Sequence, residues 1–225
     1  MLTHARTALT LLATVGVVTA GSGCTDTGPA SEPTTTAAGP TATVGQVTTV
    51  GFDDNTTLPE GTDIAAGTWQ IQARDGTPTP PNALCQTATA EYPALTLGPA
   101  NYTDATISVR FLPISGTEDQ AAGIIFRSVD PGNYYVLRAN ALEGNVNFYQ
   151  YTDGTRSILA EANTPVPTGQ WQELRVEITG DTLTGYLDGT QIVQTRHDRL
   201  RSGRIGLWTK ADSHTCFDDF TATAR

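Results

Sequence analysis

The chain has 225 residues, and its 23 acidic and 13 basic side chains give it a formal net charge of −10 at pH 7. This length suits one large all-β domain or two small domains. Because such an acidic chain repels phosphate groups, nucleic acid and anionic membrane surfaces are excluded as partners.

Residues 1–23 have the features of a signal peptide. A polar start with His4 and Arg6 precedes an apolar run over residues 8–20, which is too short to span a bilayer comfortably. The following GSGC resembles a bacterial lipobox that ends at Cys24, although Gly21 stands where Leu is usual. We therefore expect lipidation at Cys24 and an extracytoplasmic, membrane-anchored lipoprotein. The alternative is a plain secretory signal that is cut after Ala20, which gives a secreted protein.

The next segment, residues 24–45, consists almost wholly of Thr, Pro, Ala, Gly and Ser. Such a composition has no apolar surface to bury, so it predicts a disordered tether. Residues 46–225 then form the folded domain. We expect this domain to be a monomer whose only link to the membrane is the lipid anchor.

The chain has three cysteines, so one is left over if two form a disulfide. Cys24 is the one beside the signal peptide, and Cys85 and Cys216 are the natural pair in an oxidising compartment. The alternative for Cys85 and Cys216 is a pair of buried free thiols.

From residue 46 onward, strand signals recur every 8 to 12 residues with turn residues between them, which is typical of a β-sandwich or barrel. No window shows the 3.6-residue period of a helix. Outside the central stretch, the predicted strands are 47–52, 68–71, 83–86, 94–97, 106–111, 156–161, 171–178, 183–187, 191–195, 203–209 and 215–224. About a dozen strands favour an all-β jelly-roll sandwich of two antiparallel sheets.

The central stretch, residues 123–151, predicts three antiparallel strands joined by turns at DPGN and EGN. Alternation places Ile124 and Phe126 on one face and Arg127 on the other. In the second strand it separates Tyr134, Val136, Arg138 and Asn140 from Tyr135, Leu137 and Ala139. One of these faces should be core and the other solvated.

Several motifs carry a resemblance to a known superfamily: an early FDD, then GIIFR, NYYVLRANALEG, WxxLRV, LDG, GRIGLWTKADS and a closing FDDF. They resemble the concanavalin A-like lectin/glucanase superfamily, and within it bacterial secreted domains of the 3-keto-disaccharide hydrolase type. The resemblance covers residues 47–225. It implies two packed sheets, one convex and one concave, with sugar binding on the concave sheet.

Sugar binding requires flat aromatic faces for C–H surfaces and fixed polar groups for hydroxyls. Residues of these types in the strands that the resemblance points to, with Lys210 nearby, are Arg127, Tyr135, Arg138, Asn140, Tyr149 and Trp208. They are the candidate carbohydrate-binding residues. The alternative is that they are core residues or solvated arginines paired with carboxylates.

The catalytic pattern ExDxxE of family 16 laminarinases is absent. On one predicted strand, Glu173 and Glu177 lie ~13 Å apart at ~3.3 Å per residue. Glycosidase carboxylate pairs are separated by about 5–9.5 Å, so these two cannot act together. We therefore expect a carbohydrate-binding domain; a hydrolase of 3-keto-glycosides or related sugar bonds, and a structural or protein-interaction domain of the envelope, are the alternatives.

The resemblance also implies one structural Ca²⁺ where the last strand meets the first. Phe52-Asp53-Asp54 and Phe217-Asp218-Asp219-Phe220 lie at these two places. Carboxylates and carbonyls are the ligands that Ca²⁺ prefers, and Asp219 and Asp53 are the expected ligands. The alternative is that these aspartates end their strands in solvent.

Overall fold

The computed structural model describes residues 39–54 and 56–225, which form an all-β sandwich. The strands in chain order are β1 (Val47–Val50), β2 (Asp63–Ala66), β3 (Trp69–Ala73), β4 (Asn82–Gln86), β5 (Ala94–Tyr102), β6 (Ala105–Ser115), β7 (Ala121–Asp130), β8 (Asn133–Asn140), β9 (Asn145–Thr152), β10 (Thr155–Asn163), β11 (Gln172–Thr179), β12 (Thr182–Leu187), β13 (Thr190–Arg196), β14 (Gly203–Trp208) and β15 (His214–Ala224). The predicted all-β fold class is confirmed, with more strands than the pattern indicated.

The strands form two antiparallel sheets. The seven-stranded sheet has the order β10-β9-β8-β7-β14-β5-β2. The eight-stranded sheet has the order β13-β12-β11-β6-β15-β4-β3, and β1 also pairs with β15. Neighbouring strands that are distant in sequence, such as β6 and β15, produce the crossed connections of a jelly roll.

The inner faces of the sheets form one continuous hydrophobic core. In β6 every second side chain from Ala105 to Phe111 is buried, and β11 repeats this pattern from Leu174 to Ile178. Both strands place these residues in the main cluster, as their alternation predicts. Burial of one face of each sheet is the main stabilising term, at about 25 cal/mol per Å² of apolar surface.

The central hairpins β7–β8–β9 have both faces buried. Tyr135, Leu137 and Ala139 of β8 pack in the main core. Tyr134 and Val136 belong to a second cluster on the outer face of the seven-stranded sheet. The two faces therefore separate as the alternation predicts, but the outer face is also covered.

The disulfide joins β4 to β15. Cys85 and Cys216 are directly paired residues with a Cα–Cα distance of 4.0 Å, and they form the bond that the cysteine count predicts. Both are fully buried on the outer face of the eight-stranded sheet, beside Leu112 and Trp171. The bond connects an early strand to the last one, 131 residues later.

The predicted signal peptide, Cys24 and the tether as far as residue 38 lie outside the described residues. The described end of the tether segment, residues 39–45, is hydrogen-bonded to the sandwich. The amide of Ala42 donates to the carbonyl of Asn101, and that of Gly45 to the carbonyl of Ala224, both at 2.8 Å. Among the described residues, no helix is long and apolar enough to cross a membrane.

Removal of the disulfide should destabilise the domain substantially. In the double variant Cys85→Ala/Cys216→Ala, we expect the free energy of unfolding to fall by about 2–5 kcal/mol, because the unfolded chain regains the freedom of a long loop. Urea titration followed by tryptophan fluorescence measures this loss. A reductant should destabilise the wild type and leave the double variant unchanged; equal stability of the two proteins without reductant would contradict the prediction.

Candidate functional site

The outer face of the seven-stranded sheet carries an aromatic patch. Its members are Tyr92, Tyr134, Tyr149, Tyr151 and Trp208. Tyr134 stacks on Tyr151 with ring centroids 4.2 Å apart, and Tyr92 stacks over Trp208 at 5.9 Å. Burial raises the pKa of Tyr134 to about 12 and also raises the pKa of Tyr151, so both remain neutral phenols.

A glycine beneath the patch lets the aromatic rings lie close to the sheet. Gly123 of β7 is paired with Trp208 on one side and with Arg138 on the other. A Cβ atom at this position would lie 2.8 Å from a methyl group of Val136 and 3.2 Å from the Cβ of Trp208. The glycine of the GIIFR motif is therefore required by close packing on the outer face.

A polar cluster borders the patch. We define it as Asp119, Arg138, Asn140, Glu143, Asn145 and Lys210. Asp119, only 1% exposed, forms an ion pair with Lys210 and accepts a 2.6 Å hydrogen bond from Nδ2 of Asn140. A buried carboxylate is tolerable only with such partners, since an unpaired one costs several kcal/mol.

The second ion pair of the cluster is built on Arg138, which is 1% exposed. Its Nη2 donates to Oε2 of Glu143 at 2.6 Å and to Oδ1 of Asn145 at 2.5 Å. Burial alone would raise the pKa of Glu143, but the hydrogen bonds from Arg138 and Asn145 outweigh burial and lower it. Glu143 is therefore a stable carboxylate.

Two arginines flank the ring of Tyr149. The guanidinium carbon of Arg138 lies 5.1 Å from the ring centroid, and that of Arg156 lies 4.7 Å from it. Arg156 also lies 5.4 Å from the centroid of Tyr92. These cation–π contacts connect the aromatic patch to the polar cluster.

The structure brings together four of the six candidate carbohydrate-binding residues. Arg138, Asn140, Tyr149 and Trp208 all lie on the outer face of the seven-stranded sheet. Trp208 is fully buried beneath Tyr92 and cannot itself touch a ligand, whereas Tyr92 is partly exposed. The exposed aromatic surface at this place therefore belongs to Tyr92.

The other two candidates, Arg127 and Tyr135, do not join the aromatic patch or the polar cluster. Both form hydrogen bonds with the backbone of loops. Arg127 has a positive φ of 49° at a bulge, and it donates to the carbonyls of Thr103, Leu200 and Gly180 at 2.7–3.1 Å. The hydroxyl of Tyr135 accepts a 3.0 Å hydrogen bond from the amide of Leu200. Both side chains therefore fasten the β13–β14 connection to the sandwich.

Sequence reasoning missed Tyr92, Arg156 and Asp119. Tyr92 and Asp119 lie in loops that are next to the patch only after folding. Arg156 opens a predicted strand, where an arginine is ordinarily a solvated surface residue. No spacing in the sequence marks any of these three residues, because most of their partners are distant in the chain. Asp119 and Lys210, for example, are 91 residues apart.

The two expected calcium ligands lie at adjoining strands. Val50 of β1 pairs with Phe220 of β15. Asp53 comes shortly after Val50, and Asp219 directly precedes Phe220, so both aspartates lie at the same end of this strand pair. Oδ1 of Asp53 is buried without a hydrogen-bond partner, and Oδ1 of Asp219 accepts from the hydroxyl of Thr79 at 2.9 Å. In the described ranges, no group of three or more His, Cys, Asp or Glu residues is arranged for a metal ion.

Glu173 and Glu177 lie on β11 of the other sheet, and Arg175 between them pairs with both. The two carboxylates of the polar cluster are likewise paired with cations. Glycoside cleavage by an acid–base pair needs one carboxylic acid that holds its proton, usually through a raised pKa. Glu143, whose pKa is lowered, is not such an acid.

Comparison with known proteins agrees with this fold. A levanase from Bacillus subtilis (strain 168) is 28% identical over 112 residues, which are 49% of this chain and 16% of the levanase. The chain thus matches a small part of that enzyme's length.

The carbohydrate binding module CBM66 from Bacillus subtilis superposes with a TM-score of 0.63 and 22% identity, covering 73% of this chain and 96% of the module. A galectin-like protein of unknown function from Bacillus subtilis gives a TM-score of 0.56 and 14% identity, covering 74% of this chain and 91% of its own.

A family model described as a 3-keto-alpha-glucoside-1,2-lyase-like domain matches residues 50–222. This range contains every strand from β2 to β14, the aromatic patch and the polar cluster. It agrees with the concanavalin A-like resemblance that the sequence motifs carry. The chain belongs to the family of 3-keto-alpha-glucoside-1,2-lyase-like domains.

Proposed function

We propose that this domain binds carbohydrate on the outer face of the seven-stranded sheet. The observation that carries the proposal is the partly exposed ring of Tyr92, which is held rigidly over Trp208 beside fixed charged groups. Burial raises the pKa of Tyr92, and the adjacent carboxylate of Glu91 raises it further, whereas the charges of Arg156 and Lys210 act in the opposite direction. A flat ring surrounded by such groups suits the C–H face and hydroxyls of a sugar.

The hydrogen-bonding groups around Tyr92 are held in place before any ligand arrives. Lys210 is fixed by Asp119, and Glu143 is fixed by Arg138 and Asn145. Because their side chains are already ordered, binding a sugar costs less conformational entropy. The resemblance to a carbohydrate binding module supports the same proposal.

Cleavage of a sugar bond is the second candidate, and family membership favours it. General acid–base catalysis requires a group that holds or accepts a proton near the operating pH. Glu143, with its lowered pKa, is a weaker base than an ordinary glutamate, and at neutral pH it is ionised and has no proton to donate. Binding without turnover therefore agrees better with the geometry. Release of free sugar from a 3-keto-glycoside, lost in Glu143→Gln, would instead establish catalysis.

The proposal predicts that Tyr92→Ala weakens carbohydrate binding at least about tenfold, or ~1.4 kcal/mol. The exposed stacking surface is lost, while the strands remain intact. Levan and a glycan array identify a ligand for the wild type, and titration calorimetry then compares the variants. The matched control is Tyr186→Ala, which removes a tyrosine stacked under Arg175 on the eight-stranded sheet. Silence of the wild type on every glycan, or unchanged binding by Tyr92→Ala, would contradict the proposal.

We also propose one structural Ca²⁺ at the end of the β1–β15 strand pair where Val50 pairs with Phe220. The buried, unpartnered Oδ1 of Asp53 supports it, as does the oxygen-rich surrounding of Asp219 and Asp218. Burial raises the pKa of Asp218 and the nearby charge of Asp219 adds to this, while hydrogen bonds from Thr79 oppose it. A bound cation would remove this repulsion between neighbouring carboxylates.

Calcium removal should therefore lower the melting temperature. At a Ca²⁺ concentration 100 times its dissociation constant, binding stabilises a fold by about 2.7 kcal/mol. Scanning calorimetry with EDTA, then with excess Ca²⁺, should show a reversible shift that Asp53→Asn abolishes. A wild-type melting temperature that is the same with EDTA and with Ca²⁺ would end this proposal.

We further propose that the domain is displayed at the cell surface through a lipid on Cys24. The signal-like residues 1–23 and the GSGC sequence support this. The full-length protein should partition into the detergent phase of a Triton X-114 extract, and Cys24→Ser should move it to the aqueous phase. Aqueous partitioning of the wild type would contradict the anchor.

A further inference from the structure

Arg156 is a cation without a charged partner on the proposed carbohydrate surface. It lies near the start of β10, the edge strand of the seven-stranded sheet, opposite Tyr151. Its guanidinium rests against the rings of Tyr149 and Tyr92 and is partly exposed. Throughout the described residues, that guanidinium forms no ion pair and no hydrogen bond, and its Nη1 is buried without a partner.

The remaining buried charges of this face cancel in pairs. Arg138 is neutralised by Glu143, and Lys210 by Asp119. Two exposed carboxylates lie nearby: Glu91 precedes Tyr92, and Glu161 is further along β10. The carboxylate of Glu91 interacts with the hydroxyl of Tyr92. Within the described part of the chain neither Glu91 nor Glu161 forms a salt bridge with Arg156, so the charge of Arg156 is left for a ligand.

The unsatisfied groups of the two arginines are donors. Nε of Arg138 and Nη1 of Arg156 are buried without a partner and lie out of a ligand's reach. Within the described residues, Nε and Nη2 of Arg156 also have no partner, but they are not buried, so they are the donors that a ligand can reach. A sugar hydroxyl both donates and accepts, whereas a carboxylate only accepts and matches the planar fork of a guanidinium. The two rings hold the Arg156 guanidinium in place, so little side-chain entropy is lost when a carboxylate binds.

We propose that the surface selects a sugar that carries a carboxylate, namely a uronic acid residue. Its ring would lie against Tyr92, and its carboxylate would accept hydrogen bonds from the unburied Nε–H and Nη2–H groups of Arg156. This inference rests on the proposed carbohydrate-binding function and adds the ligand class to it.

The selectivity must be local, because the whole chain carries a formal net charge of −10. Such a charge repels a polyanion at long range, and this repulsion is screened beyond about 8 Å at physiological ionic strength. Short uronides at physiological salt are therefore the right probes, and long acidic polymers are not.

The test compares acidic trisaccharides with their methyl esters, which keep the ring hydroxyls and lose only the charge. Trisaccharides of galacturonate, glucuronate and mannuronate are titrated into the wild-type domain by calorimetry, with a sulfated neutral trisaccharide as a further arm. We expect at least one acid to bind about tenfold or more tightly than its ester. Arg156→Gln should abolish this difference.

The control variant is Arg196→Gln. Arg196 is an exposed arginine at the end of β13 that pairs with Asp181, and its substitution removes the same charge. It should keep the preference for the acid, and unchanged melting temperatures should show that both variants are folded. Equal binding of acid and ester, or persistence of the preference in Arg156→Gln, overturns the inference and leaves carbohydrate binding standing. Binding of the sulfated sugar alone overturns the carboxylate assignment. Absence of binding to any sugar, including levan and the glycan array, removes the proposed function as well.

Discussion

The register of β8 between β7 and β9 is the constraint on which the rest of the structure depends. Ile124 of β7 faces Leu137 of β8, which in turn faces Phe148 of β9, and all three lie in the core. The next residue of β8, Arg138, therefore points to the outer face and joins the polar cluster. A slip of one residue would exchange the two sets, placing an arginine in the core and leucine on the candidate site. The same register thus positions both the core and the site.

Two buried arginines, Arg127 and Arg138, have different roles because their hydrogen-bond partners differ. Arg127 and Arg138 are each 1% exposed and each belongs to a central strand. Arg127 donates to loop carbonyls and fastens connections, so its hydrogen-bonding capacity is used within the fold. Arg138 meets a half-exposed carboxylate and an amide at the surface, and one of its nitrogens is left without a partner. Only the second arrangement holds an exposed polar group, the carboxylate of Glu143, beside the aromatic patch.

Charge pairing on the outer face also bears on binding and catalysis. Each carboxylate of the polar cluster is accompanied by a cation, and the lowered pKa of Glu143 limits its use as a proton donor. Tyr92 and Arg156 differ from these carboxylates, because each packs against aromatic rings on one side and is partly exposed to solvent. A rigid aromatic ring next to an unpaired guanidinium is an arrangement that favours recognition of a flat, polar and acidic ligand.

The sequence by itself determined the fold class, the faces of the long strands, the disulfide partners and the family, because all of these follow from local alternation, composition or motifs. Alternation predicted that Arg138 and Asn140 would share a face, and it also accounts for the burial of Ile107 of β6 and Leu174 of β11. It could not separate Arg127 from Arg138, since a bulge with a positive φ redirects Arg127. Only the tertiary structure brought Tyr92 and Arg156 to the same ring and joined Asp119 to Lys210. These contacts link loops and strands far apart in the chain, and their free energy depends on desolvation and pairing that no local pattern records.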